Sequence, residues 1–155
     1  MKESERIQKL FRDLYNGTPW LEITLTGKLS ELTAEQAARR IMPNWNTIWE
    51  IVQHLISWRQ NVLQHVQGVV LVTPENNYFT PLTDTSPEAW KATLDQLEET
   101  QNQWISFLQE VREVDMLKTY PGNEMSYYDH IIGILEHDAY HLGQISLLAK
   151  AARSV

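Results

Sequence analysis

The residues best suited to chemistry are two histidines, His137 and His141, which lie four residues apart in a segment of helical apolar period. Residues at this spacing project from one face of a helix, with about 5–6 Å between their Cβ atoms. Both imidazoles can therefore bind one divalent ion at nitrogen–metal distances of about 2.0–2.1 Å. The spacing alone is a weak signal, because a chain with five histidines shows it by chance in roughly one case in eight.

A third histidine, His54, strengthens this interpretation. It lies in the middle of another helical segment and is flanked by apolar residues, including Val52 and Leu55. Metal sites in helical bundles are commonly built from side chains on facing helices. Together with the pair, His54 would supply three nitrogen ligands and leave one coordination position open for water or substrate. An open position is typical of a catalytic rather than a structural site.

Each of the two helical segments that carry these histidines also has a polar stripe, when residues are placed at about 100° intervals. Leucine is expected at such positions in a dry bundle, so the stripes indicate a cavity inside the bundle. They comprise Glu50, His54, Trp58, Asn61 and His65 in the first segment, and His130, Gly133, His137, His141, Gln144 and Leu148 in the second. His65 and His130 lie about 16 Å and about 10 Å along their helices from the nearest candidate ligand, too far to share its ion. A partly exposed histidine is the expectation for both.

The carboxylates beside these histidines have more than one interpretation. Asp138 completes the pattern His-Asp-x-x-His, which resembles the His-Glu-x-x-His helix of zinc proteases. Aspartate is one methylene shorter than the glutamate base, which argues against a protease. Asp138, Glu136 or Glu50 could instead orient a ligand imidazole, or could lie on a solvated helix face.

Three further residues lie within a turn of the candidate ligands. Trp58 is a candidate pocket residue, although tryptophans at helical spacing more often belong to a core or an interface. Tyr140 could donate a hydrogen bond to a substrate, but a core tyrosine with a satisfied hydroxyl is the better expectation. Gln144 is predicted to bond either a bound ligand or a backbone group.

Composition limits the possible classes of protein. The 155 residues, 43% of them apolar, predict a single globular domain over 1–155. The formal net charge of −7 argues against nucleic acid as a partner, because the chain would repel phosphates. The absence of cysteine excludes a thiolate zinc site and a cysteine nucleophile. Neither a secretory signal nor a membrane-spanning apolar run is visible, so we expect a soluble cytoplasmic protein without a membrane partner.

The apolar period predicts four long helices, and glycines and prolines mark their ends. The predicted segments are 4–15, 46–67 with Asn46 as N-cap, 87–113 with Ser86 as N-cap, and 127–152 with Ser126 as N-cap. Pro19 fits the first turn of a further helical piece, and a short helix is predicted from Thr33 to about Ile41. Residues 69–85 form a loop long enough to be a lid or a pocket wall. The pattern predicts an all-α fold, an antiparallel four-helix bundle.

The stretch His-Asp-x-Tyr-His-x-Gly-Gln-Ile, from His137 to Ile145, resembles the last helix of the DinB/YfiT-like superfamily. The lone histidine of the second long helix and the Gly-Thr-Pro-Trp break at 17–20 also fit this family. The resemblance covers nearly the whole chain. It implies an antiparallel four-helix bundle, often dimeric, that binds divalent zinc, nickel or iron through three histidines, here His54, His137 and His141. Some relatives are transferases or isomerases in which the metal presents a low-molecular-weight thiol, such as bacillithiol or mycothiol.

With the three histidines, the resemblance implies a metal-dependent enzyme that transfers such a thiol to a small electrophilic substrate, and it also implies a homodimer. A cation lowers the pKa of a thiol, so a protein without cysteine can still use thiol chemistry. Two alternatives stay open. One is a hydrolase that uses a metal-bound water, with Asp138 or Glu50 as general base. The other is a non-catalytic helical module, in which the metal is structural or the histidines merely pack.

Overall fold

The computed structural model describes residues 1–154, and within this range the chain forms helices and no strand. The helices are α1 (Glu3–Asn16), α2 (Leu25–Leu29), α3 (Ala34–Ala38), α4 (Ile48–Val66), α5 (Pro87–Glu110), α6 (Glu113–Met116) and α7 (Tyr127–Arg153). Four of them are long, and the predicted all-α class is confirmed. None of the helices in residues 1–154 is both long and apolar enough to cross a membrane.

Hydroxyl side chains begin three of the long helices. At the start of α4, Thr47 Oγ1 accepts from the Glu50 N–H at 3.1 Å, and the Glu50 carboxylate accepts from the Thr47 N–H at 2.7 Å. The prediction of Asn46 as N-cap was therefore wrong by one residue, because Thr47 stands three residues before the glutamate that completes this capping box. The predicted caps of α5 and α7, Ser86 and Ser126, are confirmed.

Two helices end earlier than predicted. α5 stops at Glu110 rather than Glu113, because Val111 has an extended backbone with φ −64° and ψ 134°. The separate short helix α6 then follows. α3 likewise ends before the predicted Ile41, because Arg39 is extended. In both places the apolar pattern continues past the residue at which the backbone leaves the helical conformation.

The segment after α1 contains no helix at Pro19. The Pro19 carbonyl accepts a hydrogen bond from the Glu22 N–H in a turn, and α2 begins only at Leu25. The expectation that Pro19 opens a helical piece was therefore wrong. The predicted cap of the next short helix is correct, since Thr33 and Gln36 form a capping box at the start of α3.

The four long helices enclose one core. α4 packs against α5 and α7, and α1 packs against the same two helices. Phe11 of α1 stacks on Trp104 of α5, and Trp49 of α4 meets Trp90 of α5, each with ring centroids 5.0 Å apart. This packing supports a four-helix bundle, whose antiparallel order stays a prediction. The close packing of α4 on α7 brings the two histidine-bearing faces together.

A buried ion pair connects three of the long helices. Arg59 of α4 and Asp138 of α7 are 1% and 0% exposed, and Arg59 Nε donates to Asp138 Oδ2 at 2.9 Å. The guanidinium also donates to Thr100 Oγ1 at 3.2 Å and to Gln101 Oε1 at 2.9 Å, both on α5. Because Asp138 adjoins His137, this network fixes the rotation of α7 and the direction of its histidine face.

Candidate metal centre

Three histidine side chains from α4 and α7 converge on one point. His54 Nε2 lies 3.0 Å from His137 Nε2, which in turn lies 3.1 Å from His141 Nε2. Within residues 1–154 these are the one group of three or more His, Cys, Asp or Glu side chains placed to hold a metal ion, and their ligand atoms all lie within 4.8 Å of one another. Two ligands of one ion at about 2.0–2.1 Å are about 3.0–3.4 Å apart. The two spacings through His137 therefore fit ligands of one divalent cation, and we call the three histidines the triad.

Hydrogen bonds set the tautomers of two triad histidines. His54 Nδ1 lies 2.7 Å from the Asn77 carbonyl oxygen, and His141 Nδ1 lies 2.7 Å from Gln144 Oε1. Both partners are acceptors, so each Nδ1 carries the proton and each Nε2 presents a lone pair. Acceptors on the outer nitrogen are the usual support of metal-binding histidines. His137 Nδ1 is buried without a hydrogen-bond partner in the described part of the chain.

Burial keeps the triad neutral. Desolvation lowers the pKa of His54 to about 4, opposed by the bond to Asn77 and reinforced by His141. Desolvation, followed by the charges of His141, His54 and Arg59, lowers the pKa of His137 to about 3. The pKa of His141 is also lowered by burial, although its bond to Gln144 opposes the shift. Neutral imidazoles are the form that binds a metal, so the triad is ready to do so at neutral pH.

Aromatic side chains surround the triad. Phe79, from the loop between α4 and α5, stacks on the His54 ring with centroids 3.9 Å apart and an interplanar angle of 8°. Trp58 lies edge-on to His54 at 6.4 Å and 5.9 Å from the His137 ring. The prediction that placed Trp58 near the site agrees with this position. The rings shield the imidazoles from water and lower the local dielectric.

The carboxylates that the sequence offered as partners of the ligand imidazoles do not belong to the histidine cluster. Glu50 is 6% exposed, and its carboxylate accepts from Thr47 and from the Arg40 guanidinium, at 2.7 Å in each case. Asp138 pairs with Arg59 in the core. It therefore neither lies on a solvated helix face nor bonds a ligand imidazole, the two positions expected from the sequence. Burial raises the pKa of Asp138, and Arg59 partly opposes the rise. Glu136 is exposed, as expected of a solvated helix face.

Tyr140 and Gln144 form the outer rim of the site. The expectation of a core tyrosine was wrong, because the Tyr140 side chain is 65% exposed and packs against the His141 ring at 5.0 Å. In residues 1–154 the Gln144 side chain bonds no backbone group, and its contact with a bound ligand stays a prediction. Its Oε1 accepts from His141, and its Nε2 donates to the Tyr140 hydroxyl at 3.0 Å. Gln144 is therefore the residue that orients His141.

His65 and His130 lie outside the triad, as their positions along the helices predicted. His65 stacks on Tyr120 at 4.5 Å and meets the His130 ring at 5.4 Å. The expectation of partial exposure holds for His130, but it was wrong for His65, which is 6% exposed because the Tyr120 ring covers it. These residues form a second aromatic cluster nearer the opposite end of α4.

Sequence reasoning missed Asn77 and Phe79. Both lie in the 69–85 loop, which was predicted only as a lid or pocket wall. No residue type in this loop indicated a contact with His54. The one available signal was the pair of adjacent asparagines at 76–77, because asparagine tolerates the left-handed backbone conformation of tight turns. Asn77 adopts that conformation, with φ 51°.

Fold and site together define a helical-bundle protein with a buried three-histidine cluster that could hold a divalent ion. A family model described as the DinB superfamily matches residues 24–145, more than half of the chain. The chain therefore belongs to the DinB superfamily, as the sequence resemblance predicted, and the matched range contains all three triad histidines. No curated protein and no solved structure shows significant similarity to it.

Proposed function

We propose that this DinB-superfamily protein is a divalent-metal-dependent enzyme that transfers a low-molecular-weight thiol to a small electrophilic substrate. The observation that carries the proposal is the convergence of three neutral imidazoles, with Nε2–Nε2 distances of 3.0 and 3.1 Å. A bound divalent cation would supply Lewis acidity, which makes a thiol ligand a nucleophile at neutral pH.

The donor set favours a particular class of cation. Three imidazole nitrogens suit zinc, nickel or iron(II), whereas magnesium and calcium prefer oxygen ligands. His54 and His141 would each bind through the Nε2 lone pair that their Nδ1 bonds leave free. Three protein ligands also leave room for an exogenous ligand, as in catalytic sites.

The surroundings favour a thiol over water as the reacting ligand. A hydrolase of this kind commonly places a general base beside the metal-bound water, and the sequence offered Asp138 and Glu50 for that role. Asp138 is committed to Arg59, and Glu50 to Thr47 and Arg40. A thiol needs no such base once its pKa is lowered, because it then ionises on its own at neutral pH.

The aromatic wall supports a small organic substrate. Phe79 and Trp58 present ring surface beside His54, and both are partly buried rather than sealed in the core. Ring faces of this kind bind apolar or conjugated groups and exclude bulk water. An electrophile placed against them would lie close to the position that the triad leaves open.

A two-stage experiment tests the proposal. Cobalt(II)-loaded protein is titrated with cysteine and with glutathione, and a sulfur-to-cobalt charge-transfer band is recorded in the near ultraviolet. Thiol transfer to 1-chloro-2,4-dinitrobenzene is then followed for the wild type, His137→Ala and the matched control His65→Ala. We expect the band and a thiol-dependent rate in the wild type and the control, and the loss of both in His137→Ala. Neither band nor rate in any loaded protein would overturn the proposal, and so would ester hydrolysis that needs no thiol.

A further inference from the structure

The loop between α4 and α5 adopts a costly backbone conformation directly over the triad. Asn77 and Tyr78 are consecutive residues with φ of 51° and 61°. Positive φ is uncommon for residues other than glycine, and more so for a bulky residue such as tyrosine than for asparagine. Such strain persists only where surrounding contacts impose it, and it concentrates at functional sites.

Asn77 makes two of these contacts, both with α4. Its carbonyl oxygen accepts from His54 Nδ1 at 2.7 Å, and its side-chain Oδ1 accepts from Trp58 Nε1 at 3.1 Å. His54 and Trp58 lie one helical turn apart on the same face, so Asn77 bridges them. The bridge needs a backbone carbonyl that faces α4 and an amide oxygen that reaches one turn further along it.

The next two residues of the loop extend the same attachment. The Tyr78 hydroxyl accepts from Asn61 Nδ2 at 2.6 Å, and Phe79 stacks on the His54 ring at 3.9 Å. Residues 77–79 therefore follow α4 from His54 to Asn61. We call residues 77–79 the clamp, because their contacts with α4 hold the outer side of one triad histidine.

We propose that Asn77 is a positioning residue that couples closure of the clamp to the tautomer of His54. When the clamp is closed, the Asn77 carbonyl requires the proton on Nδ1, and Nε2 then faces the other two triad imidazoles with a lone pair. When the clamp is open, nothing on α4 selects that tautomer, and His54 loses its ring partner Phe79. The proposal rests on the metal-dependent function proposed above, and it adds the element that regulates metal affinity.

Thermodynamic linkage gives the proposal a quantitative consequence. If only the closed clamp presents His54 correctly, the apparent metal affinity is scaled by the fraction of molecules that are closed. Metal binding must in turn favour the closed clamp by the same factor. Partners on the outer nitrogen of a metal-binding histidine are typically worth about 10- to 100-fold in affinity.

Three variants test the side-chain contact by which Asn77 holds its carbonyl against His54. Asn77→Gly removes the amide and tolerates positive φ, so it tests the side chain without new strain. Asn77→Asp keeps an oxygen acceptor for Trp58, and Trp58→Phe removes the donor instead. Glu75→Gly serves as the control, because it adds flexibility to the same loop at an exposed residue outside the clamp.

Two readouts are recorded for each variant. Long-range ¹H–¹⁵N NMR of the metal-free protein reports the His54 tautomer, and competition titration with zinc reports the affinity. We expect the wild type, Asn77→Asp and Glu75→Gly to hold the Nδ1–H tautomer. Asn77→Gly and Trp58→Phe are expected to show a mixture of tautomers and about 10-fold weaker zinc binding or more.

The outcomes separate this inference from the proposed function. If the wild type binds zinc while Asn77→Gly keeps both its tautomer and its affinity, the positioning role is refuted and the proposed function stands. If no protein binds zinc but the tautomer still changes in Asn77→Gly, the positioning of His54 stands and the metal-dependent function fails. Weaker zinc binding in Glu75→Gly equal to that in Asn77→Gly would also refute the positioning role, because flexibility alone would then explain the loss.

Discussion

Replacement of Arg59 by methionine tests the buried network that orients α7. The Arg59→Met variant keeps most of the side-chain volume but removes the charge that faces Asp138 at 2.9 Å. It also removes the donors to Thr100 and Gln101, which retain their other bonds to the carbonyls of Leu97 and Phe11. The main loss is therefore the pairing of one fully buried carboxylate.

Breaking a buried ion pair from one side typically costs about 3–5 kcal/mol, because the remaining charge stays buried without compensation. For a domain of this size, that loss lowers Tm by about 6–20 °C. The pKa of Asp138 is already raised by burial, and Arg59 is the group that lowers it. Without Arg59 the folded state therefore holds a proton that the unfolded state releases, so the variant loses more stability at pH 8 than at pH 5.

The assay is urea unfolding at pH 5, 6.5 and 8, with Arg112→Met as a matched control. Arg112 pairs with Asp115 on the surface, and its replacement should leave the urea midpoint close to that of the wild type. The double variant Arg59→Met with Asp138→Asn should recover part of the loss, because it removes the buried charge. A loss below about 1 kcal/mol, or a loss independent of pH, would show that Arg59 and Asp138 do not form a fully desolvated ion pair.

Three further predictions concern pH, capping and assembly. The unfolded histidine pKa of 6.5 exceeds the folded values of about 4 for His54 and about 3 for His137. Unfolding therefore takes up protons below pH 6.5, and the urea midpoint of the metal-free protein should fall from pH 6.5 towards 3–4, less steeply in His137→Gln. Thr47→Ala should cost about 1 kcal/mol in urea unfolding, since it removes the N-cap of α4, whereas an unchanged midpoint would contradict the capping box. Leu147, which is 69% exposed on α7 beside a cavity of about 330 Å³, is our candidate contact for the predicted homodimer. Leu147→Glu should then give monomers in analytical ultracentrifugation, and a dimer that persists would place the interface elsewhere.

Features with a local physical cause could be predicted from the sequence. The helices follow from apolar periodicity, and Ser86 and Ser126 were recognised because a hydroxyl before a helix satisfies its free N–H groups. The triad could be predicted because imidazoles spaced four apart must share a helix face. A helix bundle then offers facing helices that can bring His54 to the pair.

Features that depend on distant partners could not be predicted. The role of Asp138, which follows a histidine in the sequence, cannot be assigned until Arg59 is known to face it across the bundle. Tyr140 was expected in the core, because periodicity does not say which side of a largely apolar helix is covered. Asn77 contacts His54 through its backbone carbonyl. Every residue type has this group, so the amino-acid sequence does not reveal the contact.

The most direct test of the metal site is the metal content of untagged protein, measured by elemental analysis after incubation with zinc, nickel or iron(II) and removal of free ions. Wild type and His137→Ala are compared, with His65→Ala as the control, since His65 is buried on the same helix as His54 but lies outside the triad. We expect one ion per chain in the wild type and in His65→Ala, and none in His137→Ala. No bound ion in the wild type, or an ion that His137→Ala retains, would contradict a metal site at the triad.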